Sequence, residues 1–389
     1  MQTQKCIKRR QSSRDGIAFS GIFRPREGTT FLLLGNQTVV FCETSQRIYA
    51  LNPTAALIWC RLEEHDEPAA ICQFLAAKGV DPNLAAQHVG QAIRHWLKLG
   101  LLKGDAADVF TGNNALIEKT FRIKGANFSV TMQFPTTRLA KVLAPFQHFA
   151  DRNAPRDHVL ALSEADGLIH AFHNNDCVIS CAPRELVPAI KAYVTERMIA
   201  DSAPQVVFHA ACLVRGGKSL LISGKPGAGK TTLALQLVAD GFEFGGDDIA
   251  MIGPDGRVAG VPFAPAIKPG AWNIVSTFRP DLKTATIHQR PDGKRVRYLN
   301  PENLAADSTH PVGWIVFIRR KSGPALLRPI EPVEAMRGLM HASYTVGGRL
   351  NLTACRALKQ TLEHAKTFEL TYSTLKQASD AIGRLFHDS

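Results

Sequence analysis

The sequence predicts an α/β domain built around a phosphate-binding loop, preceded by a small α+β module of winged-helix type. Two observations carry this. Gly224-Lys225-Pro226-Gly227-Ala228-Gly229-Lys230-Thr231 meets the pattern G-x-x-x-x-G-K-[ST] without deviation, with strand-like KSLLIS before it and helix-like TTLALQLVAD after it. Nearer the front, residues 21–103 read as a strand pair followed by three short helices, each with its own start and stop signals.

Composition fixes the broad class. A chain of 389 residues, 45% hydrophobic and 21% charged, is long enough for two or three domains with real cores. No window supplies the roughly 18 uncharged residues of a membrane span, and the basic first twenty residues hold no apolar run, so a cytoplasmic protein is expected. The eight cysteines are scattered with no C-x-x-C pair, which predicts small core hydrophobes rather than a zinc site or disulfide frame. The net charge of +12 is spread along the chain, dense only at Lys8–Arg10 and Arg319–Lys321. No nucleic-acid signature accompanies it, and a basic face that attracts ATP or an acidic peptide is the better reading.

In the front module, TVVFCETSQRIYALN alternates apolar and polar residues like two strands turning at Glu43 to Gln46. NPTAALIWCRLEE then reads as a helix capped by Asn52 with Pro53 at its first position. EPAAICQFLAAKG closes on Gly79, and DPNLAAQHVGQAIRHWLKLG opens on Asp81 and Pro82 and closes on Gly100. Residues 104–201 read as a lead-in subdomain of strands, a turn at Asn174 to Asp176, and an amphipathic helix with Leu186, Ile190, Val194 and Met198 on one face. No chemistry is expected there.

Residues 202–389 form the third segment. After the loop, the helix ends at Gly241, and Gly245-Gly246-Asp247-Asp248 follows FEF. Loop N–H groups and the helix N-terminus suit phosphates, Lys230 suits the β and γ phosphates, and the Thr231 hydroxyl suits Mg²⁺, with Thr232 beside it. Two adjacent carboxylates can then divide metal binding and proton acceptance between Asp247 and Asp248. No N-K-x-D or L-S-G-G-Q segment occurs, and GWIVFI runs into Arg319 rather than an aspartate, which argues against GTPase and ABC or AAA classes. Helices around a strand TFELTY complete the fold.

Two resemblances add to this reading. Tyr49, Leu51, Asn52, Ala55 or Ala56, Ile58 and Trp59, followed by a helix pair ending in W-L-K-L-G-L-L, resemble the PqqD family of peptide-binding modules. That implies capture of a precursor peptide's leader along an exposed strand edge. The order H-A-A-C-L-V, G-K-P-G-A-G-K-T-T-L-A-L, G-F-E-F-G-G-D-D resembles the HPr kinase family of P-loop serine kinases. Carried over, it implies an ATP site at Gly224 to Thr231, acid and base chemistry with metal binding at Asp247 and Asp248, and a site role for His209. The family's E-x-R-G-x-G segment is absent, which argues against HPr itself as acceptor. VPFAPAIKPGAWNIV stands in its place, similar to HPr-kinase-related proteins, and points to Lys268 as a second cation in a loop fixed by Pro262, Pro265 and Pro269.

The resulting expectation is an ATP- and Mg²⁺-dependent kinase acting on a Ser or Thr hydroxyl of a ribosomal precursor peptide. A small-molecule or saccharide kinase and a nucleotide-gated peptide-binding module with slow ATPase activity are the alternatives. Neither nucleic acid nor membrane is an expected partner, and self-association is left open.

Overall fold

A computed structural model describes residues 22–43, 46–104, 119–124, 129–153, 157–165, 167–174, 176–290, 292–305, 309–344 and 350–386. Cys6, Lys8–Arg10, Asn175 and the middle of the Glu43–Gln46 turn lie outside them. The chain divides into two compact units. One holds residues up to Lys119 together with Met132–Pro135 and Val159–Pro183; the other holds Thr120–Thr131, Thr136–His158 and Arg184–Ser389.

In the first unit, strands β1 (Phe23–Pro25), β2 (Thr29–Leu34), β3 (Gln37–Cys42) and β4 (Arg47–Leu51) precede helices α1 (Pro53–Glu63), α2 (Pro68–Ala77) and α3 (Pro82–Lys98). Strand β3 lies between β2 and β4, both antiparallel to it, and β5 (Leu102–Gly104) pairs with β1. Each helix begins where the sequence signals predict. Asn52 accepts the Ala55 N–H, Asp81 accepts those of Asn83 and Leu84, and proline opens all three. Trp59 and Trp96 meet edge to face with ring centroids 5.0 Å apart at the centre of the core. Trp59 donates its indole N–H to Glu63 at 2.9 Å, so the large ring is buried without a stranded donor.

Strands β6 (Lys119–Lys124) and β7 (Ser129–Phe134) divide between the units. An antiparallel meander of β8 (His158–Ala165), β9 (Leu168–His173) and β10 (Asp176–Cys181) follows a short α4 (Thr137–Lys141). Phe172 and Cys177 of this meander join the Trp59–Trp96 core.

The second unit centres on a six-stranded sheet ordered β14-β12-β13-β20-β23-β21. Its members are β12 (Ala211–Arg215), β13 (Lys218–Ser223), β14 (Glu243–Gly246), β20 (Val312–Arg320), β21 (Leu326–Pro329) and β23 (Lys366–Tyr372). The pairs β13–β20 and β20–β23 are parallel, and the other pairings in the sheet are antiparallel. Alternation along the buried strands sorts side chains to two faces. Leu220 and Ile222 pack with α6 (Lys230–Ala239) and α10 (Leu375–Arg384), whereas Leu221 packs with α8 (Pro332–Ala342) and α9 (Leu352–His364). Helices thus cover both faces of a sheet whose central strands β13 and β20 are buried over most of their length, as parallel strands require.

The remaining elements of this unit frame the site. They are α5 (Leu186–Ser202), strands β11 (Val206–Phe208), β15 (Ala250–Ile252), β16 (Val258–Gly260) and β22 (Ser343–Tyr344) in a second sheet, and a three-stranded sheet of β17 (Ala266–Ile267), β18 (Ile287–Gln289) and β19 (Arg295–Tyr298). Leu186, Ile190, Val194 and Met198 are all buried on α5. The stretch read from sequence as a proline-fixed loop is a strand–helix junction instead. Ala266 and Ile267 pair with β19, and Pro269 opens helix α7 (Pro269–Val275), a position that needs no N–H donor. Cys42, Cys177, Cys181 and Cys212 are buried and are not joined in disulfides. Among the described residues no helix is long and apolar enough to cross a membrane.

Candidate functional site

The glycine-rich segment joins the C-terminal end of β13 to α6, and its shape follows from two close approaches. Gly229 has φ +99°, and a Cβ there would stand 2.7 Å from the Tyr372 hydroxyl. That hydroxyl donates to the Ala228 carbonyl at 2.6 Å and pins the loop. Gly229 leaves the start of α6 without a side-chain cap. The first-turn N–H groups are therefore available to an anion, reinforced by the helix dipole. Lys230 is buried and donates to the Gly224 carbonyl at 2.7 Å, closing the loop across its own mouth. Burial holds its ammonium below the usual lysine range, and Asp247 and Asp248 oppose that shift.

The carboxylates come from the end of β14. Gly246 lies so close to Val261 that a Cβ would be 2.7 Å from its backbone N and O, so the chain can reach this place only as glycine. Asp247, next in sequence, is 3% exposed, and neither of its carboxylate oxygens has a hydrogen-bond partner. Desolvation, then the neighbouring Asp248, push its carboxyl up to about 7; Lys191, the nearby Thr231 hydroxyl and Lys230 ease this without removing it.

Asp248 has the opposite environment. Its Oδ2 accepts from Lys191 Nζ at 2.5 Å, and this ammonium, the largest influence on it, holds its carboxyl below the usual range. Lys191 is 14% exposed and sits 5.8 Å from the Phe263 ring centroid and 6.0 Å from that of Tyr298. The aromatic faces replace part of the hydration that the ammonium has lost. His209 Nδ1 lies 3.0 Å from the Asp248 main-chain oxygen. A carbonyl can only accept, so Nδ1 carries the proton and Nε2 is left with its lone pair. Burial, then Lys230, depress the ring's pKa and keep it neutral.

A cavity of about 610 Å³ brings His209, Thr231, Asp248 and Lys268 to one space. Lys268 stands at the N-cap of α7, whose Trp272 donates to the Ile267 carbonyl at 2.8 Å and fixes the junction. Gly227, Gly229, Lys230 and Thr232 line the same space. Lys225 and Ala228 face a second cavity of about 960 Å³ on the other side of the loop, which His209, Pro226 and Arg320 also border.

Sequence reasoning missed Lys191, Arg290, Lys294, Arg320 and Tyr372. Lys191 belongs to a helix read as purely structural and reaches its carboxylate across 57 positions of chain. Only its place beside Val187 and Met198 on the helix's buried face could have singled it out. Arg290 and Lys294 carry no motif.

Residues 37–102 match the family described as Coenzyme PQQ synthesis protein D (PqqD). That segment is a PqqD-family domain. Among solved structures, "Lasso peptide synthetase B1 complexed with the leader peptide" is 27% identical over 21% of this chain and 96% of its own, with a TM-score of 0.20. "TbiB1 in Complex with the TbiA(beta) Leader Peptide" is 19% identical over 20% of this chain and 93% of its own, TM-score 0.20. The Hpr(Ser) kinase/phosphatase from Coxiella burnetii is 12% identical over 47% of this chain and 99% of its own, TM-score 0.22, a distant likeness. No curated protein matches the chain.

Proposed function

We propose that this protein is an ATP- and Mg²⁺-dependent kinase that phosphorylates a Ser or Thr hydroxyl on a ribosomally made precursor peptide, whose leader binds the PqqD-family domain. The observation that carries the kinase reading is Asp247. A carboxylate buried without a partner costs stability unless a ligand completes it, and this one lies beside Thr231 and Lys230 at the mouth of a loop shaped for phosphate. Thr231 and Asp247, with Asp248 at the edge, fit a magnesium ion that takes its remaining ligands from nucleotide phosphates and water. When bound, the ion would neutralise charge on the β and γ phosphates.

The chain's own residues do the rest. Loop N–H groups and Lys230 orient the phosphates, and Lys268, lining the same cavity, adds a second cation for them. Asp248, ionised and fixed by Lys191, accepts the acceptor hydroxyl's proton as its oxygen attacks the γ phosphorus and the bridge to ADP breaks. His209 orients through the Asp248 backbone and offers Nε2 to the same space.

The peptide reading rests on the PqqD-family match and on exposed apolar residues of the two edge strands in the same module: Leu33 and Leu34 on β2 and Ile48 on β4 are more than half exposed. An extended leader can add to such an edge through main-chain hydrogen bonds. Calorimetric titration of ATP with Mg²⁺ tests the nucleotide half. Wild type should bind and Lys230→Ala should bind at least about tenfold more weakly while melting normally; equal affinity would remove the loop from the account.

A further inference from the structure

We infer that the acceptor hydroxyl is flanked by acidic side chains, read by Arg290 and Lys294. This rests on the kinase reading and adds the acceptor's chemistry to it.

The cavity's charges are lopsided. Lys230, Lys268, Arg290, Lys294 and Arg320 line it, against Asp248 as the carboxylate among its described lining residues. That carboxylate is already matched by Lys191. On the loop side, Lys230, the loop N–H groups and the N-terminus of α6 suffice for nucleotide phosphates. Arg320 lies against Tyr372, its guanidinium 5.8 Å from the ring centroid, at the loop side as well. The surplus, Arg290 and Lys294, comes from the β18–β19 connection instead.

Two of these cations share one turn. Arg290 and Lys294 flank the β18–β19 connection, closed by the Arg290 N–H donating to the Lys294 carbonyl at 2.9 Å and the Gly293 N–H donating to the Arg290 carbonyl at 2.9 Å, while the Lys294 N–H donates to Asp292 Oδ1 at 3.2 Å. Asp292 bridges them, 3.4 Å from the Arg290 guanidinium and 3.3 Å from the Lys294 ammonium. The bridge aligns the two side chains and leaves the pair, with Asp292, one net positive charge. Arg290 also contributes to holding Asp248 ionised, which sets it within electrostatic reach of the transfer point. A hydroxyl with neutral neighbours would gain nothing from this pair; carboxylates on either side of it would be drawn in and held in register. In the transfer itself nothing else changes: the hydroxyl oxygen bonds to phosphorus, its proton passes to Asp248, and ADP departs with the bridging oxygen.

The test uses the full chain with Mg²⁺ and a non-hydrolysable ATP analogue, and three fluorescent leaderless peptides in which one serine is flanked by Glu, by Gln or by Lys. Anisotropy should rank Glu ahead of Gln by about tenfold, with Lys weakest. The double variant Arg290→Glu/Lys294→Glu should reverse that order while its calorimetric nucleotide affinity stays within about twofold. Equal affinities for the three peptides, no binding of the Glu peptide, or a loss confined to nucleotide affinity in the variant would overturn the inference. Failure of wild type to bind nucleotide at all would instead sink the kinase reading, and the peptide ranking would still be read on its own.

Discussion

The PqqD-family module and the loop region of the second unit bury their polar groups by opposite rules. In the module, the largest buried ring hands its N–H to Glu63, and the core is otherwise aliphatic and aromatic. Around the loop, Lys230 and Asp247 are buried, and Asp247 has no hydrogen-bond partner. A region that only recognises can satisfy every group and leave its working surface outside. A region that is to bind a charged ligand, as proposed for the loop, must hold charge ready for it, and it is less stable for doing so.

The largest effect should come from the carboxylates. Asp247→Asn and Asp248→Asn are each expected to slow phosphoryl transfer at least about a hundredfold, with leader affinity unchanged by fluorescence titration; a wild-type rate in either would reduce the pair to a turn. Next, Lys191→Met should cost about ten- to a hundredfold in kcat, since an unfixed base is a misplaced one, and Lys191→Arg should recover part of it. If Met and Arg behaved alike in single-turnover kinetics, the ion pair would be structural only.

The recognition side should answer differently. Leu33→Lys and Ile48→Lys alter exposed positions, so folding should survive. KM for the full-length precursor should rise about five- to tenfold, with kcat and leaderless-peptide kinetics unaltered. An unchanged KM would move the small-molecule acceptor ahead of the peptide. Removing the module outright is a poorer test, because Phe172 and Cys177 share its core.

The smallest effect is one of stability. Asp247 titrates near 7 when folded against an ordinary 3.8, so the folded state favours its proton, and this group's contribution worsens as pH rises from about 4 through 7. Without nucleotide, Asp247→Asn should therefore melt at least about 2 °C above wild type at pH 8, a gap that narrows towards pH 4. A gap independent of pH would show that Asp247 is not held unpaired.

Much of the fold was legible because its signals are local. Asn52–Pro53 and Asp81–Pro82 open helices, and Leu220, Leu221 and Ile222 declare a strand buried on both faces. The loop and the carboxylate pair were legible for the same reason, each a short run whose backbone demands are written in glycine. Lys191, Arg290 and Tyr372 were not, because sheet order and helix packing bring them in from distant parts of the chain. The junction at Lys268 was half legible: its prolines marked a constraint, but the pairing of β17 with β19 depends on a strand about thirty positions later.

The most direct measurement is mass spectrometry of a precursor peptide, with its leader, after incubation with the protein, ATP and Mg²⁺. The expected result is one added phosphoryl group on a Ser or Thr of the peptide, absent with Lys230→Ala and absent when Mg²⁺ is chelated. ATP consumed with the peptide left unmodified, or phosphate appearing equally with Lys230→Ala, would contradict a peptide kinase.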